Sequence, residues 1–83
     1  MPKIANVSIS GKNLLVTGTG FDDGATIFVD GERKKTKPDE VSPTTSLVGK
    51  KVGKKIARGQ TVTIQIHNSD GSVSNEFVFT RPL

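Results

Sequence analysis

Gly49-Lys50-Lys51-Val52 is followed at once by a near copy, Gly53-Lys54-Lys55-Ile56, and Arg58 comes soon after. Closely spaced ammonium and guanidinium groups attract phosphate and sulfate esters. Lys50, Lys51, Lys54, Lys55 and Arg58 are therefore the candidate contacts for a polyanion, whether nucleic acid or sulfated glycan. From Arg33 to Arg58 nine Lys or Arg stand against Asp39 and Glu40, a balance of +7, while the rest of the chain holds three basic and six acidic residues, a balance of −3. Arg33, Lys34, Lys35 and Lys37 would join the patch if the fold brings them beside the lysine doublet. The competing use of the same residues is solubilisation, because lysines on edge strands keep a small β-domain from pairing with its neighbours. No aromatic residue lies between Arg33 and Arg58, so bases have nothing to stack on, and no element that could read base edges stands out.

Other residues with chemical potential are better explained by backbone geometry. Asp22-Asp23-Gly24 and Asn68-Ser69-Asp70-Gly71 offer oxygens that calcium would accept, but neither has the spacing of a calcium loop and both are good turns. His67, the sole histidine, falls on the outer face of its strand with no nucleophile or carboxylate at a telling spacing. Gly18-x-Gly20 lacks the third glycine and following helix of a dinucleotide fingerprint. Asn6-Val7-Ser8 matches a glycosylation acceptor, which matters only in a eukaryotic secretory setting. The chain has no cysteine, hence no thiolate nucleophile, disulfide framework or cysteine metal site. No catalytic, cofactor-binding or metal-binding residue is assigned, no cofactor is expected, and the chain does not read as an enzyme.

The elements that must position these groups are hairpins. Taking Asp70-Gly71 as a two-residue type I′ turn pairs Asn68 with Val73, Ile66 with Asn75, Ile64 with Phe77 and Val62 with Phe79. Every bulky apolar residue except Val78 then shares one face; Thr61, Thr63, Gln65, His67, Ser74, Glu76 and Thr80 take the other. A one-residue slip would expose the whole apolar set. In the first half, Ile4–Ser10 and Asn13–Thr19 flank Gly11-Lys12, a Gly-X pair suited to a type II′ turn, which sets Ile9 opposite Leu14 and Val7 opposite Val16. Gly18-Thr19-Gly20 predicts a bulge or close backbone approach before Phe21 turns inward. A strand over Ala25–Val29 reaches Asp30-Gly31, a type I′ signal, and returns as a polar edge strand over Glu32–Thr36. Residues 37–43, with two prolines, read as a loop. Thr44–Lys50 resumes as a strand, and the glycine-interrupted lysine doublet, where two glycines would cost a helix about 2 kcal/mol, reads as irregular with at most a short turn.

About seven short strands without a long helix predict an all-β, two-sheet antiparallel sandwich. At 83 residues, with four Phe and neither Trp nor Tyr, the core is small, burying roughly 60% of the unfolded surface. No apolar run approaches a membrane span, no signal segment opens the sequence, and no membrane insertion is expected.

Pro2-x-Ile4, Leu15-Val16-Thr17-Gly18-Thr19-Gly20-Phe21, the strand into Asp30-Gly31, and Gln60–Gly71 leading to Ser74 and Phe77-x-Phe79 together resemble the IPT/TIG domains. These are immunoglobulin-like (E-set) folds shared by plexins, transcription factors and bacterial surface proteins. The resemblance covers nearly the whole chain, and its marks, the glycine–phenylalanine bulge and the valine-rich strand ending in Asn-x-Asp-Gly, are structural. Between Ser46 and Gly59 many members carry a short proline-containing link where this chain carries the lysine doublet. The resemblance implies a non-catalytic spacer, adhesion or interaction module. Residues 1–83 are expected to be a single such domain within a longer, bacterial, extracytoplasmic or cell-surface protein. Its partners would be neighbouring domains, in an array with stiff junctions at Pro2 and Pro82, or another protein.

Overall fold

Alternating apolar and polar residues build eight strands in the computed structural model, which describes residues 2–83: β1 (Lys3–Ser10), β2 (Asn13–Thr19), β3 (Thr26–Val29), β4 (Glu32–Arg33), β5 (Thr36–Pro38), β6 (Ser46–Gly49), β7 (Thr61–His67) and β8 (Phe77–Thr80). They form two four-stranded antiparallel sheets, ordered β1-β2-β6-β5 and β4-β3-β7-β8, which is the immunoglobulin-like (E-set) sandwich expected. Counting β4 and β5 as one strand that changes sheets gives seven. Leu14, Val16 and Leu47 from one sheet meet Ile27, Ile64 and Ile66 from the other, all six without exposure. Phe21 and Ala25 close one end of this core, and Val52 and Ile56 close the opposite end.

The first hairpin has the expected register, with Val7 opposite Val16 and Ile9 opposite Leu14. Only Gly11 of its turn adopts positive φ, +58°, the sign pattern of a II′ turn. Opposite Gly18 the register shifts between Ile4 and Asn6, leaving Ala5 as the extra residue of a bulge. A Cβ on Gly18 would lie 1.9 Å from the Lys3 carbonyl oxygen, so the close approach read from the two glycines is what only glycine permits. Asp30 and Gly31 both have positive φ, 51° and 81°, as a type I′ turn requires.

The second long hairpin departs from expectation near its turn. Val62 faces Phe79 and Ile64 faces Phe77, but His67, not Asn68, pairs with Val73. Asp70 accepts hydrogen bonds from the Ser72 N–H and hydroxyl at 2.8 and 2.6 Å, and only Gly71 takes positive φ, so three residues turn the chain instead of two. The extra residue is absorbed at Ser74–Glu76, which leave the ladder. There the Ser74 hydroxyl accepts the Ile66 N–H at 2.8 Å, and Ser74 is buried, not on the outer face as its register implied. Phe77 is half-buried at the margin of the core.

The polar return strand is also different. After Lys34, whose N–H still donates to the Ile27 carbonyl at 2.9 Å, it leaves β3, crosses to the other sheet and pairs Lys37 with Val48 and Pro38 with Leu47, so the loop expected from residue 37 begins at Asp39. Proline is tolerated because β5 is an edge. The strand expected over Thr44–Lys50 is Ser46–Gly49, and the doublet holds one 3₁₀ turn, Gly53–Lys55.

Candidate functional site

The strands lie along the long dimension of a body 34 × 23 × 19 Å, an eight-residue strand alone spanning about 26 Å. This gives the molecule two poles. β1 begins beside the end of β2, with Lys3 opposite Thr19. At this entry pole lie the loops 20–25 and 68–72. β8 ends with Thr80 opposite Thr61, where β7 begins. At this exit pole lie the β1–β2 turn, the Asp30-Gly31 turn and the lysine doublet.

At the exit pole the apolar residue that ends each half of the doublet, one at every fourth position, is an anchor. Val52 and Ile56 are each 2% exposed, so the intervening lysines are forced outward, and Lys50, Lys51, Lys54, Lys55 and Arg58 are all exposed. Gly53 is buried against the β1–β2 turn, where a Cβ would lie 2.8 Å from the Asn13 carbonyl oxygen. Three backbone contacts fix the lysines to neighbouring elements. Lys50 N–H donates to the Lys35 carbonyl at 3.1 Å, Lys54 N–H to the Lys12 carbonyl at 3.3 Å, and Lys51 N–H to Asn13 Oδ1 at 3.1 Å. Arg81 ties the segment from behind, its Nη1 donating to the carbonyls of Gly53 and Ile56 at 2.7 and 2.6 Å.

This arrangement regroups the residues read from sequence. Lys50, Lys51 and Lys54 are joined by Lys12, on the distant first turn, and by Lys35. Lys55 instead shares a recess with Asp30, Glu32 and Lys34, and Arg58 sits in the following turn. Lys34 is committed to Glu32 at 3.0 Å and Lys37 lies 3.7 Å from Glu40. Arg33, opposite Phe28 on the other sheet, shares a recess with Lys34 and Lys35. Lys12 and Arg81 were not singled out by spacing. The signal for Lys12 was the Gly11-Lys12 turn itself, whose position at one end of the first hairpin decides which loops it meets.

The entry pole has the opposite character. The two acidic turns that sequence treats separately are brought together there and hold each other. The Asp22 carboxylate accepts the Ser69 N–H and hydroxyl at 2.9 and 2.8 Å and the Gly24 N–H at 3.0 Å. Desolvation pushes its pKa up, but the Ser69 and Gly24 donors outweigh this and hold it below the usual value. The Ser72 hydroxyl and N–H likewise lower Asp70. Asn68, buried, donates to the Gly20 carbonyl at 2.9 Å and accepts the Asp22 N–H at 3.2 Å. Among the described residues no three His, Cys, Asp or Glu side chains group as a metal site. His67 lies on the outer face, stacked on Phe28 with ring centroids 3.8 Å apart, and exposed Asn6 lies in edge strand β1.

The Asn68–Gly20 bond thus joins the glycine–phenylalanine bulge to the Asn-x-Asp-Gly turn, and a profile of the IPT/TIG domain matches residues 2–80. The chain belongs to the IPT/TIG family. IPT/TIG domains are non-catalytic immunoglobulin-like modules, usually structural or engaged in interactions with other domains or proteins. No curated protein and no solved structure matches the chain. Among the described residues no helix is long and apolar enough to cross a membrane.

Proposed function

We propose that this IPT/TIG domain is a non-enzymatic spacer and interaction module within a longer extracytoplasmic or cell-surface protein. The observation that carries this reading is that the chain enters at one pole and leaves at the other, so the 34 Å body adds its length to any array it joins. Its rigidity comes from the cross-sheet core and from the Asn68–Gly20 and Arg81–Gly53 ties at the two ends. The cysteine-free sequence allows a direct test: spin labels on Lys3→Cys and Pro82→Cys should give one narrow distance distribution close to the long dimension. A broad distribution, or one centred well under half that length, would remove the basis for a spacer.

A second reading has its own observation, the gathering of cations at the exit pole. In it Lys50, Lys51, Lys54, Lys55 and Arg58 contact the phosphates or sulfates of a polyanion. Micromolar binding of heparin or duplex DNA near physiological salt, with a salt slope that shrinks when Lys50, Lys51, Lys54 and Lys55 become Gln, supports it. Absence of binding leaves the lysines as solubilising charges.

A further inference from the structure

The geometry points to a more specific anion site, centred on Lys12, Lys35, Lys50, Lys51 and Lys54, that takes a flexible sulfated glycan. This inference rests on the polyanion reading and changes its membership and its ligand. Lys12 and Lys54 come from turns forty-two positions apart in the chain yet are joined by the Lys54 N–H to Lys12 carbonyl bond. Lys35 is joined to Lys50 in the same way. All five are exposed, and among the described residues none makes an ion pair, so each is available to a ligand. Lys50 shares a recess with Asp39 and Glu40, of which Glu40 is directed to Lys37 and Asp39 Oδ1 accepts the Val41 and Ser42 N–H groups. Lys55 belongs to the site by sequence but not by position: its N–H donates to the Val52 carbonyl of its own turn, not to the Lys12 or Lys35 segments, and its side chain lines a separate recess with Asp30, Glu32 and Lys34.

The shape of the pole selects the ligand. The lysines sit on turns at the end of a body 23 × 19 Å in cross-section, and the one helical element there is a three-residue 3₁₀ turn. A duplex is a stiff rod; against a convex end it touches a short patch, and nothing here can enter its groove. Single-stranded nucleic acid bends, but it draws about 1–3 kcal/mol per base from aromatic stacking, and the aromatic pair Phe28–His67 lies on the sheet face near the opposite pole. A flexible glycan needs only sulfates that can follow the turns from Lys12 to Lys35.

The test is binding of heparin, and of duplex and single-stranded DNA, to the native chain and to Lys12→Gln, Lys54→Gln, Lys55→Gln and Lys3→Gln, the last at the entry pole. At 0.15 M salt each lost contact should weaken heparin binding about four- to fivefold, the factor that one released counterion gives at a slope of roughly 0.8 per contact. Lys12→Gln and Lys54→Gln should show it equally; Lys55→Gln and Lys3→Gln should stay within about twofold. If Lys55→Gln matches Lys54→Gln and Lys12→Gln is silent, the site follows the linear segment and the inference fails while the polyanion reading stands. Tighter binding of either DNA than of heparin overturns the glycan assignment alone. No binding of any polyanion by the native chain overturns both.

Discussion

The two poles of the sandwich use charge in opposite ways. At the entry pole Asp22 and Asp70 are surrounded by donors from their own and the facing loop, so their charge is spent on holding backbone in place. At the exit pole one cation, Arg81, does that work through the carbonyls of Gly53 and Ile56, and among the described residues Lys12, Lys35, Lys50, Lys51 and Lys54 form no ion pair. A charged side chain whose hydrogen-bonding capacity is filled from within is a structural part; one held out by buried neighbours such as Val52 and Ile56 is left for solvent or a ligand. The comparison predicts that substitutions at the entry pole change stability, whereas lysine substitutions at the exit pole change binding.

The core shared by both poles sets the scale. Ile64→Ala should cost about 2–5 kcal/mol by urea unfolding, because Ile64 has no exposure. Phe77→Ala should fall at or below the lower bound, since Phe77 packs only at the margin. A loss within about 0.5 kcal/mol for Ile64 would sink the hairpin register.

The strand ladders, the Val62–Phe79 and Val7–Val16 pairs and the close backbone approach at Gly18 were legible because period-two patterning and glycine placement are local. The turn at 68–72 was not, because Asp70 closes onto Ser72 and the Asn68 side chain is drawn to Gly20, a partner forty-eight positions away. The sheet change at residues 34–35 was hidden for a similar reason: polar edge strands carry no burial pattern to say which sheet they join. Lys50, Lys51, Lys54, Lys55 and Arg58 were readable as a charge run, but Lys12 and the acidic neighbours of Lys55 depend on which loops share a pole.

Asn68→Ala should be the most damaging polar change, about 1–3 kcal/mol, because it empties a buried position and strips the Gly20 carbonyl and the Asp22 N–H of their partner in a part-buried setting. Arg81→Met tests the exit pole's own structural tie and should cost about 1–2 kcal/mol. A larger loss there than at Asn68 would reverse the comparison.

Acid should act on the entry pole. Asp22 and Asp70 have lowered folded-state pKa values, so in acid the unfolded chain binds more protons than the folded one. Their contribution is complete above the unfolded carboxylate value near 3.9 and is lost as pH falls through the lower folded values. Asp22→Asn should flatten the stability–pH curve below about pH 4, read by thermal unfolding across pH; a curve unchanged from the native chain would deny Asp22 its role. The smallest effect is expected at the lysines: Lys50→Gln, Lys51→Gln and Lys54→Gln should each leave stability within about 0.5 kcal/mol.

The division between a pole whose charges are spent and one whose charges are available is tested most directly by following the lysine ammonium resonances by NMR during a heparin titration. The account predicts saturable shifts at Lys12, Lys35, Lys50, Lys51 and Lys54, with Lys3 and Lys34 unmoved. Equal shifts at all lysines, or none at any, would contradict it.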